Sequence, residues 1–200
     1  MTDTEVNEKG IIKGVNVTAL QPLRVGIIRN EANKEDILEY KEELAKITKE
    51  MQGKVTLVIY GYTLADVEEN WLDGVTFEFV KPTSINHYFK QLKALNLDVL
   101  FIPLIRSNYN ATSENYNKYM EAALFNIPVL TINIYPYNTL ITDKRNGFLY
   151  KEKNEFIPYI EHLYIQRALV QSVGVFANEN VNNTFSYSTK NIEVISDLFT

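Results

Sequence analysis

Residues 23–60 read LRVGIIRNEANKEDILEYKEELAKITKEMQGKVTLVIY, and this stretch decides the fold. Leu23-Arg24-Val25-Gly26-Ile27-Ile28 is a short run rich in β-branched residues that ends in polar ones, so it reads as a buried strand. Glu35 to Gln52 follows as a helix: Ile37, Leu44, Ile47 and Met51 recur near the helical period, and Gly53 is a stop signal. Val55 to Tyr60 is a second strand, closed by Gly61. Two strands separated by a helix imply a parallel pair.

The alternation continues outward from this unit. Val75 to Val80 alternates apolar and polar and predicts a third strand, and Ser84 to Leu95 predicts a helix with Leu92 and Leu95 on one side. Asp98 to Pro103 reads as a fourth buried strand. It is followed by a polar loop, Arg106 to Thr112, and a helix from Ser113 to about Phe125. Pro128 to Ile134 is a fifth strand, Pro136 a break, Asn146-Gly147 a turn, and Phe148 to Tyr150 a short strand. From Asn154 the chain reads as mostly helical. The expectation is an α/β, Rossmann-like three-layer domain, with a mainly parallel sheet and helices on both faces. Residues 1–21 read as a tail or linker remnant and 22–200 as that domain. Ligands of such sheets bind beyond the carboxyl ends of the strands, so residues just after Ile28, Tyr60, Val80, Pro103 and Ile134 are the ones to watch.

Composition narrows the function. The net charge of −5 and the pI near 5.2 give no electrostatic footprint for nucleic acid, which calls for a basic stripe. The chain has no cysteine, so disulfides and thiolate metal sites are excluded and a cytoplasmic location is expected. Met1 to Gly10 is polar and acidic and does not read as a signal peptide, and Val99 to Ile105 is too short an apolar run to span a bilayer. Asn16, Asn110 and Asn182 open glycosylation-acceptor triplets that read as chance matches to a short pattern. No G-x-G-x-x-G follows the first strand, and there is no phosphate-loop lysine motif and no G-x-S-x-G elbow. His87 and His162 have no partner at metal-ligand spacing and read as helix-surface residues.

Three constellations remain. Arg29-Asn30-Glu31-Ala32-Asn33-Lys34 puts two cations at a strand end and a helix entrance, where free amides and the helix dipole already attract anions. Arg29 and Lys34 there make a diphosphate clamp, or else an ordinary solvated loop. Ser113-Glu114-Asn115-Tyr116-Asn117-Lys118-Tyr119-Met120-Glu121-Ala122-Ala123 opens a helix on which Glu114 and Glu121, seven residues apart, share a face. Glu121 can accept two hydrogen bonds from a ribose diol, as acidic residues do in Rossmann sites, or can simply support its helix through Lys118. Asn133-Ile134-Tyr135-Pro136-Tyr137, followed by Asn146-Gly147-Phe148-Leu149, gives a strand, a sharp turn, a short helix and a glycine turn, or plain turn chemistry.

Taken in order, these pieces resemble the C-terminal domain of the retaining, B-type-fold glycosyltransferases known as glycosyl transferases group 1. The matching pieces are Arg29 with Lys34, Gly61, Ile102-Pro103, Lys118-Tyr119-Met120-Glu121-Ala122-Ala123, Ile127-Pro128-Val129, Pro136-Tyr137 and Asn146-Gly147-Phe148-Leu149, across about residues 23–165. The resemblance implies one half of a B-type glycosyltransferase, the half that binds a nucleotide diphosphate sugar such as a UDP-sugar. Arg29 and Lys34 would hold the departing diphosphate as catalytic cations, and Glu121 would hold the ribose. Gly61, Val80, Ser113, Glu114, Asn115, Lys118 and Tyr137 would line the donor, with the backbone from Val80 to Thr83 facing the base. Ser113 stands eight residues before Glu121, where many members carry a first glutamate, and Glu114 follows it. The resemblance also implies polysaccharide biosynthesis, transfer to a glycan or lipid-linked acceptor, no resident metal or cofactor, and an N-terminal acceptor domain or partner chain. Peripheral association with the inner membrane would come through that missing half. The alternative is a non-catalytic nucleotide-binding or protein-interaction module on the same fold. A receiver-like domain fits poorly, because Arg29 and Asn30 stand where its acidic pair belongs.

Overall fold

The computed structural model describes residues 21–30, 33–105 and 116–185. Six parallel strands form one sheet: β1 (Leu23–Ile28), β2 (Val55–Tyr60), β3 (Glu78–Val80), β4 (Val99–Ile102), β5 (Val129–Ile132) and β6 (Phe148–Tyr150). Their order is β3-β2-β1-β4-β5-β6. The chain steps one way from β1 to β3 and then crosses to β4 and continues the other way. Right-handed crossovers therefore place the first connections on one face and the later ones on the other. The helices are α1 (Lys34–Glu39), α2 (Lys41–Glu50), α3 (Leu64–Glu69), α4 (Ile85–Ala94), α5 (Asn117–Ala123), α6 (Tyr137–Leu140), α7 (Phe156–Ile165) and α8 (Arg167–Phe185). The expected Rossmann-like α/β domain is the fold found.

The central strands are buried along almost their whole length, as a sheet covered on both faces requires. On the face of α1 and α2, the rings of Tyr40, Phe101, Tyr150 and Phe156 form one aromatic cluster, with Phe101 and Phe156 stacked at 4.3 Å. It pins α7 to the sheet. On the opposite face α8 crosses α5 so closely that a Cβ on Gly174 would meet the Asn126 carbonyl oxygen at 1.9 Å. Only glycine fits that crossing. Asn146, expected to mark a turn, is a buried hub. Its amide donates to the Tyr119 hydroxyl at 3.0 Å and to the Leu140 carbonyl at 2.9 Å, and its oxygen accepts from the Thr142 N–H at 2.7 Å.

Three elements differ from the sequence reading. The long helix expected over 35–52 is two helices broken at Tyr40, whose fully buried ring sits at the junction with its hydroxyl donating towards Leu104. The third strand keeps only Glu78–Val80, because it pairs with just the last three residues of β2. Helix α3 was not foreseen. Edge strand β6 has its outward N–H occupied: Leu149 donates to Asp143 Oδ1 at 2.9 Å, and the same oxygen takes the Tyr159 hydroxyl of α7 at 2.6 Å.

Candidate functional site

Neighbouring strands β1 and β4 connect in opposite directions, so the crevice beyond their carboxyl ends is the place where this topology binds ligands. The backbone there is tightly tied. Arg29 N–H donates to the Tyr60 carbonyl at 2.7 Å, and Gly61 N–H to the Val80 carbonyl at 2.8 Å. Asn33 is buried. Its amide donates to the Ile28 carbonyl at 2.8 Å, and its oxygen accepts from Asn30 N–H at 2.9 Å. Across the crevice, the buried Asp36 carboxylate accepts from Ile105 N–H at 3.1 Å, joining α1 to the end of β4.

Both sequence-predicted cations stand at this end, and both are already paired. Arg29 donates to Asp66 Oδ1 at 2.7 Å, with 9 % and 3 % of the two side chains exposed. Its Nε is buried with no acceptor among the described residues. Asp66 is also a helix cap. Its Oδ2 accepts from the Thr63 N–H and hydroxyl, each at 2.7 Å, while Oδ1 takes the Trp71 indole N–H at 3.0 Å. Burial pushes this carboxyl upwards, but the Thr63 and Trp71 hydrogen bonds and the Arg29 charge outweigh it and leave the pKa below its usual value. Lys34 pairs with Glu69 at the surface, and its ammonium lies 5.5 Å from the centre of the Trp71 ring. The sequence reading missed α3 and the two of its carboxylates, Asp66 and Glu69, that hold the cations. Thr63-x-x-Asp66 directly after a strand is a capping pattern that marks the helix, but nothing local says that it faces Arg29.

Gly61 has φ +94°, and a Cβ there would stand 2.3 Å from the Arg29 carbonyl oxygen. The close approach it permits is therefore between β2 and β1 of this chain. Val80, the expected base-facing position, ends β3 half-buried, with its carbonyl engaged by Gly61.

Glu121 lies in the second turn of α5, half-buried, on the α4 face. Its Oε2 accepts from the Tyr88 hydroxyl at 2.6 Å. The Tyr88 ring stacks on Tyr60 (5.5 Å, 20°), and the Tyr60 hydroxyl shares a 2.6 Å hydrogen bond with Thr83 Oγ1. Burial first, then the bond to Glu121 and its charge, raise the Tyr88 pKa, so the hydroxyl stays a donor. Tyr60 thus touches both halves of the site, through its carbonyl to Arg29 and through its ring to the partner of Glu121. The cations face α3 and the glutamate faces α4, one on each side of the sheet's end. Lys118 is half-buried on the first turn of α5. Tyr137 is fully enclosed in the core rather than on an open surface. Ser113, Glu114 and Asn115 lie outside the described residues, and so does most of the expected tail. A separate open cavity of about 650 Å³ beside β6, lined by residues that include Lys144, Tyr159 and His162, contains none of the predicted site residues. No helix among the described residues is long and apolar enough to cross a membrane.

No protein-family model matches the sequence, and no curated protein matches it. Solved structures do share the fold. The C-terminal domain of LpcC, a glycosyl transferase group 1 family protein from Francisella tularensis, aligns over 82 % of this chain and 87 % of its own, with TM-score 0.61 and 16 % identity. HepE of Anabaena, crystallised with UDP and glucose, aligns over 90 % of this chain and 49 % of its own, at TM-score 0.65 and 17 % identity. WaaG, a glycosyltransferase involved in lipopolysaccharide biosynthesis, aligns over 90 % and 47 %, at TM-score 0.65 and 18 % identity. The chain therefore has the fold of the C-terminal half of B-type glycosyltransferases, and it spans about half the length of the two larger proteins.

Proposed function

We propose that this chain is the nucleotide-sugar-binding half of a glycosyltransferase. The observation that carries the reading is the fold shared with such enzymes, among them one crystallised with UDP and glucose. The position of Arg29 and Lys34 just after β1, and of Glu121 on the helix that follows β4, supports it. Here Arg29 and Lys34 meet the charge that grows on the diphosphate as the sugar leaves, and Glu121 accepts from the ribose diol. The reaction needs no resident metal for that charge. An N-terminal domain or partner chain supplies the acceptor site, and with it transfer to a glycan or lipid-linked acceptor, with retention, on the cytoplasmic side, in polysaccharide assembly.

A second reading, a protein-interaction module on the same fold that binds no nucleotide, is favoured by one observation: both cations are already neutralised by α3 carboxylates. The two are separated by thermal melting of the chain with uridine, guanosine and adenosine diphosphates and their sugar conjugates. A ligand at a hundred times its dissociation constant stabilises the fold by about 2.7 kcal/mol. The enzyme reading expects a base-selective rise that Lys34→Ala and Glu121→Gln each reduce. Arg29→Ala is a poor control, since it strands a buried Asp66 carboxylate. No rise with any nucleotide at millimolar concentration sinks the donor-site reading and leaves the module.

A further inference from the structure

Tyr88 belongs to no motif in the sequence, yet it makes the hydrogen bond that holds Glu121. The bond is short, 2.6 Å, and goes to one carboxylate oxygen only. A carboxylate has two oxygens and about four lone-pair sites, and among the described residues only Tyr88 donates to this one, which leaves Oε1 and part of Oε2 for other donors. A glutamate alone on a helix surface samples several rotamers, and fixing it costs entropy whenever a ligand binds. Tyr88 meets that cost in advance. Its own ring is fixed by the stack on Tyr60, and Tyr60 is fixed by burial and by Thr83. Thr83 ends the Val80–Thr83 backbone that the donor reading turns towards the base. One continuous chain of contacts, Thr83 to Tyr60 to Tyr88 to Glu121, thus joins that segment to the group that would bind the ribose.

We propose that Tyr88 is a positioning residue that sets the selectivity of the site for ribose over deoxyribose, by locking the Glu121 carboxylate in the orientation that receives a ribose diol. The inference rests on the donor-site reading above. It is not part of the electrostatic clamp, and it makes a demand of its own: a diol-selective penalty that passes through Glu121.

The test uses the full 200-residue chain and compares Tyr88→Phe, Glu121→Gln and the double variant with the parent. Calorimetry measures affinity for uridine, guanosine and adenosine diphosphates and for their 2′-deoxy forms. Phenylalanine keeps the stack at a half-exposed position, and the melting midpoint checks that the fold is intact. The parent is expected to prefer the ribonucleotide by about tenfold or more, the worth of a charged hydrogen bond. Tyr88→Phe is expected to lower ribonucleotide affinity about fivefold, on the scale of one side chain's rotamer freedom, and to leave the deoxy form within about twofold. In the Glu121→Gln background the Tyr88 substitution is expected to do nothing further, because its effect passes through Glu121.

Unchanged selectivity in Tyr88→Phe overturns the inference and leaves the donor site standing. Tighter ribonucleotide binding in that variant also overturns it, since Tyr88 would then be a competitor for the carboxylate. An equal loss in the Glu121→Gln background overturns it too. A parent chain that binds neither form removes the donor-site reading and this inference with it.

Discussion

Replacing Asp66 by alanine is the sharpest test of the site's architecture. The substitution removes four hydrogen-bond interactions at once: two from Thr63, one from the Trp71 indole and one from the Arg29 guanidinium. Breaking a buried ion pair from one side costs about 3–5 kcal/mol, because the remaining charge stays desolvated. This pair lies just beneath the surface, so the low end, about 3 kcal/mol, applies. Loss of the helix cap adds about 1 kcal/mol. The terms share atoms and will not add fully, which gives about 3–4 kcal/mol in all. For a domain of this size that is a fall of about 6–16 °C in the melting midpoint. Urea denaturation measures it directly, with Trp71 as a local probe: it is the sole tryptophan, and its indole bonds Asp66. A loss under about 1.5 kcal/mol would refute the buried pair. A second refutation is available. If the cost is mainly the stranded guanidinium, Arg29→Met in the Asp66→Ala background should recover more than half of it. A double variant as unstable as the single one would mean that the charge was never desolvated.

Acid should act through the same carboxylate. Its folded-state pKa lies below the usual 3.8, so its contribution is fully present above that value and fades as pH falls through the lower, folded one. Asp66→Asn should therefore flatten the decline of the urea midpoint between about pH 5 and pH 2, and an unchanged slope would count against the pairing. Glu69→Gln frees Lys34 at an exposed position and should tighten nucleoside diphosphate binding by about 2–5-fold at low salt, fading at high salt; calorimetry at two salt concentrations reads this, and equal affinities in both proteins would show that Glu69 does not compete. Gly61→Ala puts a methyl group against the Arg29 carbonyl at a left-handed φ and should cost about 2–3 kcal/mol of stability. A loss below about 1 kcal/mol in urea melts would mean that the β1–β2 approach relaxes freely.

The sheet was legible because its strands are continuous apolar runs separated by polar helices, and this pattern needs no tertiary knowledge. Element ends were less so. Val75 to Phe77 alternate as a strand would, but β2 pairs with β3 only through Val58 to Tyr60, and the N–H groups of Val75 and Thr76 donate instead to the Leu72 carbonyl and to Thr48 Oγ1. Helix α3 is six residues long, and Leu64 and Val67 on it are exposed, so it shows no apolar stripe to detect. Arg29, Lys34 and Glu121 stood out as charged groups beside strand ends. Their partners did not. Asp66 is 37 positions from Arg29 and Tyr88 is 33 from Glu121, and only the folded sheet brings such residues together. The expected open clamp was a statement about charge. Its state of neutralisation is a property of packing.

The bond from Leu149 to Asp143 has a consequence beyond the site. A parallel sheet ends in strands whose outward groups are templates for another chain. At β6 the donor that a newcomer would pair with is already taken, and Tyr159 fastens the acceptor in place. The sheet is closed to extension at that point by a single side chain. The opposite margin is different: β3 carries Phe79 about half uncovered. Crowding in a concentrated solution would therefore reach this molecule from one side first, and a charged residue placed at 79 is where its solubility would be decided.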